Sequence, residues 1–272
     1  MKTHQLGIEH LSVFGLPPVE FVTLVADLGC QHLATGLGAA PFNPHGYQPF
    51  SLRDDATLRR EMSAVMRDRG VSISLGEGFN IRPGSDIGDC GADLDIMREL
   101  GVTRINMVSL DPDLQRSFDQ FGVLAELAAA RGMETTVEMS PGLTVGDLDT
   151  ALAAVRHVGR ADFRLLLDTM HVFRSGSTIG DIAALDPALI GYIQLCDAPW
   201  QPTVANYMEE GMFHRLPPGE GELPLAELLA LVPEDRIIGL EVPMRTQAEE
   251  GLGPRERLEP CVAAARRLLA GC

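Results

Sequence analysis

Short apolar segments alternate with longer amphipathic stretches eight times along this chain of 272 residues. Several of the short segments, among them RLLLD and RIIGLE, are apolar at almost every position rather than at every second one. Strands of that kind are buried on both faces, as they are in a parallel sheet covered by helices. The pattern therefore predicts a series of βα units built around a parallel sheet.

The expected strands are the eight apolar segments, at Leu6–Val13, His32–Leu37, Val71–Gly76, Arg104–Leu110, Thr135–Met139, Phe163–Asp168, Ile190–Cys196 and Ile237–Val242. The expected helices are the amphipathic stretches, at Pro18–Leu28, Asp54–Arg69, Cys90–Leu100, Ser117–Arg131, Thr144–Arg156, Ile179–Leu185, Leu225–Leu231 and Arg255–Leu269. Eight such units predict an α/β fold that is a single (β/α)8 TIM barrel, forming one domain over residues 1–272. The alternative is a doubly wound open sheet, which is disfavoured because no expected strand is followed by a complete G-x-G-x-x-G turn.

The negative charge of the chain argues against two classes of binding partner. Its 22 Lys and Arg against 38 Asp and Glu give a formal charge of −16 at pH 7. Binding to nucleic acid or to a membrane surface relies on clustered basic residues, so we expect neither partner. Five cysteines without a close pair predict reduced thiols, and no segment has the form of a secretory signal or a membrane span. We therefore expect a cytoplasmic protein.

Two long connections interrupt the regular alternation, after the second and the seventh expected strand. They run from Gly38 to Arg53 and from Asp197 to Pro224. Connections of that length in a compact barrel are more often lids or binding loops than spacers. We expect them to border a ligand site.

Four expected strands in the second half of the chain end in a polar side chain. These residues are Glu138, Asp168, Gln194 and Glu241. The reacting groups of a (β/α)8 barrel lie at the C-terminal ends of its strands, so the four side chains are expected to converge. Three ionised carboxylates in one buried place are unfavourable unless a cation lies between them. The set therefore predicts one divalent cation held by oxygen ligands, with Mn²⁺ or Mg²⁺ as the preferred ion.

An alternative explanation of these carboxylates is ion pairing with arginine. Arg104, Arg164 and Arg236 lie at the starts of expected strands. In a parallel barrel the strand starts lie at the opposite end from the strand ends. We therefore do not expect these three arginines to reach the acids.

Further candidates for contact with a substrate follow the strand ends. His171 comes three residues after Asp168, where a neutral imidazole can act as an acid, a base or a hydroxyl-binding group. The remaining candidates for substrate binding are His10, Trp200, His214 and Arg215. Three of these also have a purely structural explanation: His10 as a partly buried histidine, Arg215 as a member of a surface ion pair, and Trp200 as a ring that packs its loop down.

These residues resemble those of a known superfamily. The motifs that carry the likeness are Glu138, Asp168-x-x-His171, IQLCDAP around Gln194, PPGEGELPL and Glu241. They are similar to the motifs of the xylose-isomerase-like TIM-barrel superfamily of sugar isomerases and epimerases, over essentially the whole chain and most closely over residues 138–242. The resemblance implies one catalytic metal ion, bound by Glu138, Asp168, Gln194 and Glu241. Gln on the seventh strand is similar to hydroxypyruvate isomerase and to the inosose and dehydroshikimate dehydratases. The Q-x-x-D-x-P and G-E-G-E motifs are most similar to hydroxypyruvate isomerase and its relatives.

Two positions depart from the pattern of the superfamily. Many members have a His two residues after the fifth-strand Glu, where this chain has Ser140. The ketohexose 3-epimerases have an Arg shortly after the seventh-strand ligand, where this chain has Trp200. These departures argue against a ketohexose substrate and against the dehydroshikimate reaction, and they leave the metal ligands unchanged.

The resemblance and the expected site together predict a metal-dependent isomerase or epimerase that acts on a small polyhydroxy carbonyl compound through an enediolate. Glu138 and Glu241 would each bind the ion through one oxygen and exchange a proton through the other, with His171 as a further catalytic group. If a β-hydroxyl leaves instead, with His171 or His214 as the acid, the enzyme is a dehydratase of a keto-polyol of the inosose or dehydroshikimate type. The sequence leaves this alternative open.

Two other classes of function have less support from the sequence. An endonuclease IV-like phosphodiesterase shares the barrel but needs more histidines and a basic groove, which this acidic chain does not offer. A barrel that binds a ligand without turnover also fits the fold, because a fold alone does not define a function. A homo-oligomer is compatible with the sequence, which does not define an interface.

Overall fold

A closed barrel of parallel strands forms the centre of the computed structural model, which describes residues 5–40 and 42–271. The strands are β1 Leu6–Ile8, β2 His32–Thr35, β3 Ser72–Ile81, β4 Arg104–Ser109, β5 Glu134–Glu138, β6 Phe163–Asp168, β7 Ile190–Leu195 and β8 Ile238–Leu240. They follow one another around the barrel in chain order, and β1 pairs with β8 to close it. The predicted fold class, a single (β/α)8 TIM barrel, is confirmed.

Helices connect the strands on the outside of the barrel. They are α1 Pro18–Asp27, α2 Ala56–Arg69, α3 Gly91–Glu99, α4 Leu114–Ala129, α5 Leu148–Val158, α6 Thr169–Arg174, α7 Ile179–Ala183, α8 Tyr207–Phe213, α9 Leu225–Leu231, α10 Arg245–Glu249 and α11 Pro254–Ala270. Several begin at an aspartate whose carboxylate accepts hydrogen bonds from backbone N–H groups of the first turn, as Asp55 does for α2 and Asp147 for α5. Short 3-10 helices lie at His10–Val13, Ile87–Cys90 and Pro187–Leu189.

The strands are apolar throughout because they pack on both faces. Leu165, Leu166 and Leu167 of β6 are all buried. Leu166 belongs to a small cluster with Leu75 and Tyr192, whereas Leu165 and Leu167 belong to the large core that includes the helices. Successive side chains of a strand point to opposite faces, so this division places one set inside the barrel and the other against the helices.

The structure corrects several predicted boundaries. The strand predicted over Leu6–Val13 ends at Ile8, and the chain turns into the 3-10 helix His10–Val13. The third strand extends to Ile81, beyond the predicted end at Gly76. Three short helices, α6, α8 and α10, were not predicted, because each lies in a segment that the sequence pattern assigned to a connection between a strand and the next helix.

The cysteines described by the structure, Cys30, Cys90, Cys196 and Cys261, carry free thiols. Cys272 lies outside the described residues, as do positions 1–4 and 41 of the predicted domain. Within residues 5–40 and 42–271, no helix is both long enough and apolar enough to pass through a membrane.

Candidate active site

The four polar residues predicted at strand ends lie at the same end of the barrel. Glu138 and Asp168 are the last residues of β5 and β6, and Glu241 directly follows β8. Gln194 is the penultimate residue of β7, where it pairs in register with Asp168. Asp168, Gln194 and Glu241 are buried, and Glu138 is partly buried.

The arginines at the strand starts do not contact these acids. Arg104 and Arg164 lie 2.9 and 3.5 Å from the carboxylate of Glu134, the first residue of β5. Arg236 contacts Asp235, in the loop before β8. The prediction that these arginines lie at the opposite end of the barrel from the acids is therefore confirmed.

A different arginine does reach the acids. The Nη1 atom of Arg215, in the second long loop, forms an ion pair with Asp168 and lies 3.0 Å from Oε2 of Glu241. Its Nε donates a hydrogen bond to the carbonyl oxygen of Gly211. The sequence assigned Arg215 to substrate binding; in the structure the buried guanidinium compensates part of the negative charge of two predicted metal ligands.

Asp168 is a charged group held inside the protein. Its Oδ1 accepts a hydrogen bond of 2.9 Å from the backbone N–H of His171, so it caps the N-terminus of α6. Burial alone would raise the pKa of Asp168, but Arg215, His171 and this hydrogen bond together hold it at about 2. Asp168 is therefore ionised at neutral pH.

Glu138 is held from two sides. Its Oε2 accepts a hydrogen bond of 2.6 Å from the side-chain amide of Asn106, and its Oε1 lies 3.3 Å from Nε2 of His171. The other ring nitrogen of His171, Nδ1, is hydrogen-bonded to the hydroxyl of Tyr207 at the start of α8. A line of polar groups thus runs from Tyr207 through His171 to Glu138.

Two glutamates that were not predicted as site residues lie beside Gln194. Its Nε2 is 3.3 Å from Oε2 of Glu9, 3.3 Å from Oε1 of Glu77 and 3.4 Å from Oε1 of Glu241. Glu9 follows directly after β1 and is fully buried, and Glu77 is a partly buried residue of β3. The signal for Glu9 was present in the sequence, because Glu9 follows LGI as Glu241 follows IGL.

Three of these glutamates hold their protons unusually tightly. Burial raises the pKa of Glu9 to about 8, although hydrogen bonds from Tyr192 and Gln194 oppose the shift. Burial, together with the charges of Glu138 and Glu9, raises the pKa of Glu77 well above its ordinary value. The pKa of Glu241 is also raised well above its ordinary value, mainly by burial and against the effect of Arg215. Perturbed carboxyl groups clustered in this way are typical of functional sites.

The site contains the donors that a divalent cation needs. One ligand atom each from Glu138, Asp168 and His171 lie within 4.8 Å of one another. The Oε1 atom of Gln194 is buried and has no hydrogen-bond partner in the described part of the chain. Carboxylate and amide oxygens suit Mg²⁺ or Mn²⁺, and an imidazole nitrogen also suits Zn²⁺. The residues therefore fit a metal ion, with His171 as a donor beyond the predicted set.

The remaining predicted residues lie around this cluster rather than in it. His214 is 3.6 Å from Glu209 and, with Arg215, lines a cavity of about 270 Å³. The Nδ1 atom of His10 is buried without a hydrogen-bond partner among the described residues, and burial lowers the pKa of His10 to about 4. The ring of Trp200 is half exposed and packs against Phe173.

The motifs IQLCDAP and PPGEGELPL fold against each other. The carboxylate of Asp197 accepts hydrogen bonds from the backbone N–H groups of Ala198, Gly219 and Leu223, at 2.9 to 3.1 Å. A Cβ atom at Gly221 would overlap Oδ1 of Asp197 and would lie 2.7 Å from the backbone nitrogen of Ala198. These contacts fix both ends of the loop that carries Tyr207 and Arg215 to the barrel.

The fold and the site together define a (β/α)8 barrel with a candidate Glu–Asp–His metal centre at the C-terminal ends of its strands. A family model described as "xylose isomerase-like TIM barrel" matches residues 22–260. The chain belongs to this family, and the resemblance found in the sequence is confirmed.

Relatives of the chain include enzymes with different reactions. The 3-dehydroshikimate dehydratase of Pseudomonas aeruginosa is 28% identical over 188 residues, which cover 64% of this chain and 29% of that protein. The chain thus spans less than a third of the length of this relative.

Solved structures share the fold at lower sequence identity. The IolI protein, determined with a bound zinc atom, has a TM-score of 0.81 at 17% identity and covers 98% of both chains. A D-psicose 3-epimerase, determined in the presence of D-fructose, has a TM-score of 0.73 at 15% identity and covers 98% of this chain and 100% of its own. At these identities the two structures support the fold alone.

Proposed function

We propose that this protein is a metal-dependent isomerase or epimerase, which moves a proton at the carbon beside the carbonyl group of a small polyhydroxylated substrate. The observation that carries the proposal is that Glu138, Asp168, Gln194 and Glu241 all lie at or near the C-terminal ends of their strands, at one end of the barrel. This set supplies oxygen ligands for a cation and, in its two glutamates, groups that can exchange protons.

We assign Glu138, Asp168, Gln194 and Glu241 as the residues that hold a bound Mn²⁺ or Mg²⁺. A divalent cation at this place would polarise the substrate carbonyl and make the neighbouring C–H group more acidic. Asp168 suits a ligand role because it stays ionised at neutral pH. Gln194 suits it because its Oε1 is buried and otherwise unused by the described residues.

The proton transfers are assigned to the two glutamates. Glu138 accepts the proton from carbon at Oε1, whereas Oε2, which accepts a hydrogen bond from Asn106, has a second lone pair that would bind the cation. His171, 3.3 Å from that oxygen, supports the transfer and is itself fixed by Tyr207. Glu241 supplies the proton that returns to the substrate; in the metal-free protein burial raises its pKa well above the ordinary value. Return to the opposite face gives an epimer. Return to the neighbouring carbon, together with transfer of the hydroxyl proton to the former carbonyl oxygen, gives an aldose or ketose isomer.

The second candidate is a dehydratase that uses the same site. It is favoured by the 28% identity to 3-dehydroshikimate dehydratase, although the chain spans only 29% of that protein. In this reaction His171 would protonate a β-hydroxyl as it leaves as water, after Glu138 has taken the α-proton. The position of His171 beside Glu138 is suitable both for isomerisation or epimerisation and for dehydration.

Hydrogen exchange in D₂O tests the proposal and separates the two candidates. Metal-free protein is supplied with Mn²⁺ and incubated with ketohexoses, inososes and dehydroshikimate, and the products are followed by NMR. An isomerase or epimerase gives an isomer of the substrate that carries deuterium on carbon, whereas a dehydratase gives an unsaturated product and water.

Substitution of the two glutamates tests their roles. Glu138→Gln and Glu241→Gln are each expected to slow exchange by about a hundredfold or more, because each removes a group that carries the proton. Glu134→Gln makes the same change of charge at the opposite end of β5 and is the control. Exchange that persists undiminished in both site variants would overturn the assignment.

A further inference from the structure

The side-chain amide of Gln194 is surrounded by carboxyl groups on one side. Its Nε2 lies 3.3 to 3.4 Å from oxygens of Glu9, Glu77 and Glu241. A primary amide has two N–H donors on nitrogen, whereas its carbonyl oxygen only accepts, as do carboxylate oxygens. When a bound cation keeps these carboxyl groups ionised, the nitrogen is therefore the end of the amide that belongs among them. Oε1 is left on the other side, buried and without a partner in residues 5–40 and 42–271.

Glu9 is the most firmly placed of these three neighbours. Its Oε1 accepts a hydrogen bond of 2.8 Å from the hydroxyl of Tyr192, and that hydroxyl lies 2.9 Å from Oγ of Ser74. Its Oε2 is the atom that faces Gln194. All four side chains are buried. Contacts from β3 and β7 thus hold the carboxyl group of Glu9 in one orientation.

The neighbouring strand leaves space for Glu9. Gly239 lies in β8 in register with Gln194. A Cβ atom at position 239 would overlap Oε1 of Glu9 and would lie 2.8 Å from the hydroxyl of Tyr192. Only glycine therefore permits this placement of Glu9, which supports a specific role for it independently of the hydrogen bonds.

We infer that Glu9 is a positioning residue for the metal centre, which turns the amide of Gln194 so that its oxygen, and not its nitrogen, faces the cation. The inference rests on the proposed function, and it assigns a role to a residue outside the ligand set. An amide that turned its NH₂ group toward a cation would repel it. Partners that orient metal ligands are commonly worth about 10- to 100-fold in metal affinity.

A double-mutant cycle on metal affinity tests this role without relying on turnover. Mn²⁺ is titrated into metal-free protein, and free Mn²⁺ is measured by electron paramagnetic resonance. Glu9→Gln places a second amide beside Gln194, whose N–H group competes for the Gln194 oxygen, so we expect a loss of affinity of about tenfold or more. In a Gln194→Glu background both terminal atoms at position 194 are oxygens, and orientation no longer matters. There Glu9→Gln is expected to change the affinity by less than about threefold.

A purely electrostatic role for Glu9 gives a different result. Mn²⁺ would favour the ionised form of Glu9, and a variant that cannot ionise would bind Mn²⁺ more weakly by the same factor in both backgrounds. That outcome would overturn the positioning role. Tyr192→Phe offers a second route, because it removes the hydrogen bond that orients Glu9 but keeps the carboxyl group, and it should lower Mn²⁺ affinity only when residue 194 is Gln. Glu134→Gln serves as the control for a distant charge. A wild-type protein that binds no Mn²⁺ would overturn the proposed function itself, whereas Mn²⁺ binding without coupling between positions 9 and 194 overturns only this inference.

Discussion

The guanidinium of Arg215 and the carboxylate of Asp168 form a buried ion pair at the C-terminal end of β6. The side chains are 2% and 0% exposed, so water contributes little to the stability of either charge. Because the same nitrogen of Arg215 lies 3.0 Å from Glu241, one guanidinium serves two of the proposed metal ligands. The chain itself therefore supplies part of the positive charge that the carboxylates require.

Arg215→Met leaves Asp168 buried without its partner. Removal of one member of a buried ion pair costs about 3 to 5 kcal/mol, so we expect the free energy of unfolding in EDTA to fall by about that much. Added Mn²⁺ should restore part of the loss, because the cation can replace the missing positive charge. Urea unfolding followed by circular dichroism measures both quantities.

The matched control for Arg215→Met is Arg164→Met at the start of β6. The partner of Arg164, Glu134, is 36% exposed, and a pair of this kind contributes less than about 1 kcal/mol. Equal losses in the two variants would show that Asp168 does not depend on Arg215.

Tyr207→Phe removes the hydroxyl that is hydrogen-bonded to Nδ1 of His171. The imidazole loses the contact that fixes its orientation beside Glu138, so we expect proton exchange to slow by about tenfold or more. Mn²⁺ affinity should stay within about twofold, because His171 is assigned to proton transfer and not to the metal, so the loss of its partner does not disturb a ligand. Tyr47→Phe in the first long loop is the control. A parallel loss of exchange and Mn²⁺ affinity in Tyr207→Phe would instead indicate that His171 is a metal ligand, and it would overturn its assignment to proton transfer alone.

Much of the fold and part of the site could be predicted because short stretches of the sequence are enough to indicate them. The apolar segment Phe163–Asp168 ends in an acid in the sequence, and it is a strand with that acid at its end in the structure. Glu138 and Glu241 were found in the same way. Each of these predictions uses only an apolar segment and the polar residue at its end.

Glu9 and Glu77 were missed for two different reasons. Glu9 has the same local signal as Glu241, but the predicted first strand continued through it to Val13, whereas the real strand ends at Ile8. Glu77 lies in the part of β3 beyond Gly76, where the predicted third strand ended.

The partner of Asp168 could not be predicted at all. Arg215 is 47 residues away along the chain, in a loop whose path depends on many contacts that no short pattern reveals. The role of Asp197 and Gly221 in fixing that loop is equally a property of the folded chain, although both residues lie in motifs that the sequence displays.

Gly221→Ala tests the packing of that loop. The added methyl group would overlap the carboxylate of Asp197, which also binds the backbone of Gly219 and Leu223. Because backbone atoms crowd the site as well, we expect a loss of unfolding free energy of about 1 to 3 kcal/mol, together with faster proteolysis within residues 197–224. Gly122→Ala in α4 meets no atom within 4 Å and should instead stabilise the protein by about 0.5 to 1 kcal/mol. A Gly221→Ala variant as stable and as protease-resistant as the wild type would show that Asp197 can move without consequence.

The raised pKa of Glu9 makes the stability of the metal-free protein depend on pH. The carboxyl group titrates with a pKa of 4.5 as an ordinary glutamate and of about 8 in the folded protein. Between these values the folded state binds one more proton than the unfolded state, so the free energy of unfolding falls as pH rises. The contribution of Glu9 is fully present below the lower pKa and is lost as pH rises through the higher one. The slope for one such group is about 1.4 kcal/mol per pH unit.

Glu9→Gln should flatten this dependence, because a glutamine resembles the protonated acid at every pH. Relative to the variant, the wild type is expected to lose about 3 kcal/mol of unfolding free energy from about pH 5.5 to about pH 7.5, as measured by urea unfolding in EDTA. The raised pKa values of Glu77 and Glu241 also make the free energy of unfolding fall as pH rises, in the wild type and in the variant alike. The lowered pKa of Asp168 affects the stability at more acidic pH. Glu134→Gln should keep the wild-type slope. Parallel stability curves for the wild type and Glu9→Gln would mean that Glu9 does not hold its proton in the folded protein, because a group with the same affinity for a proton in both states contributes no slope.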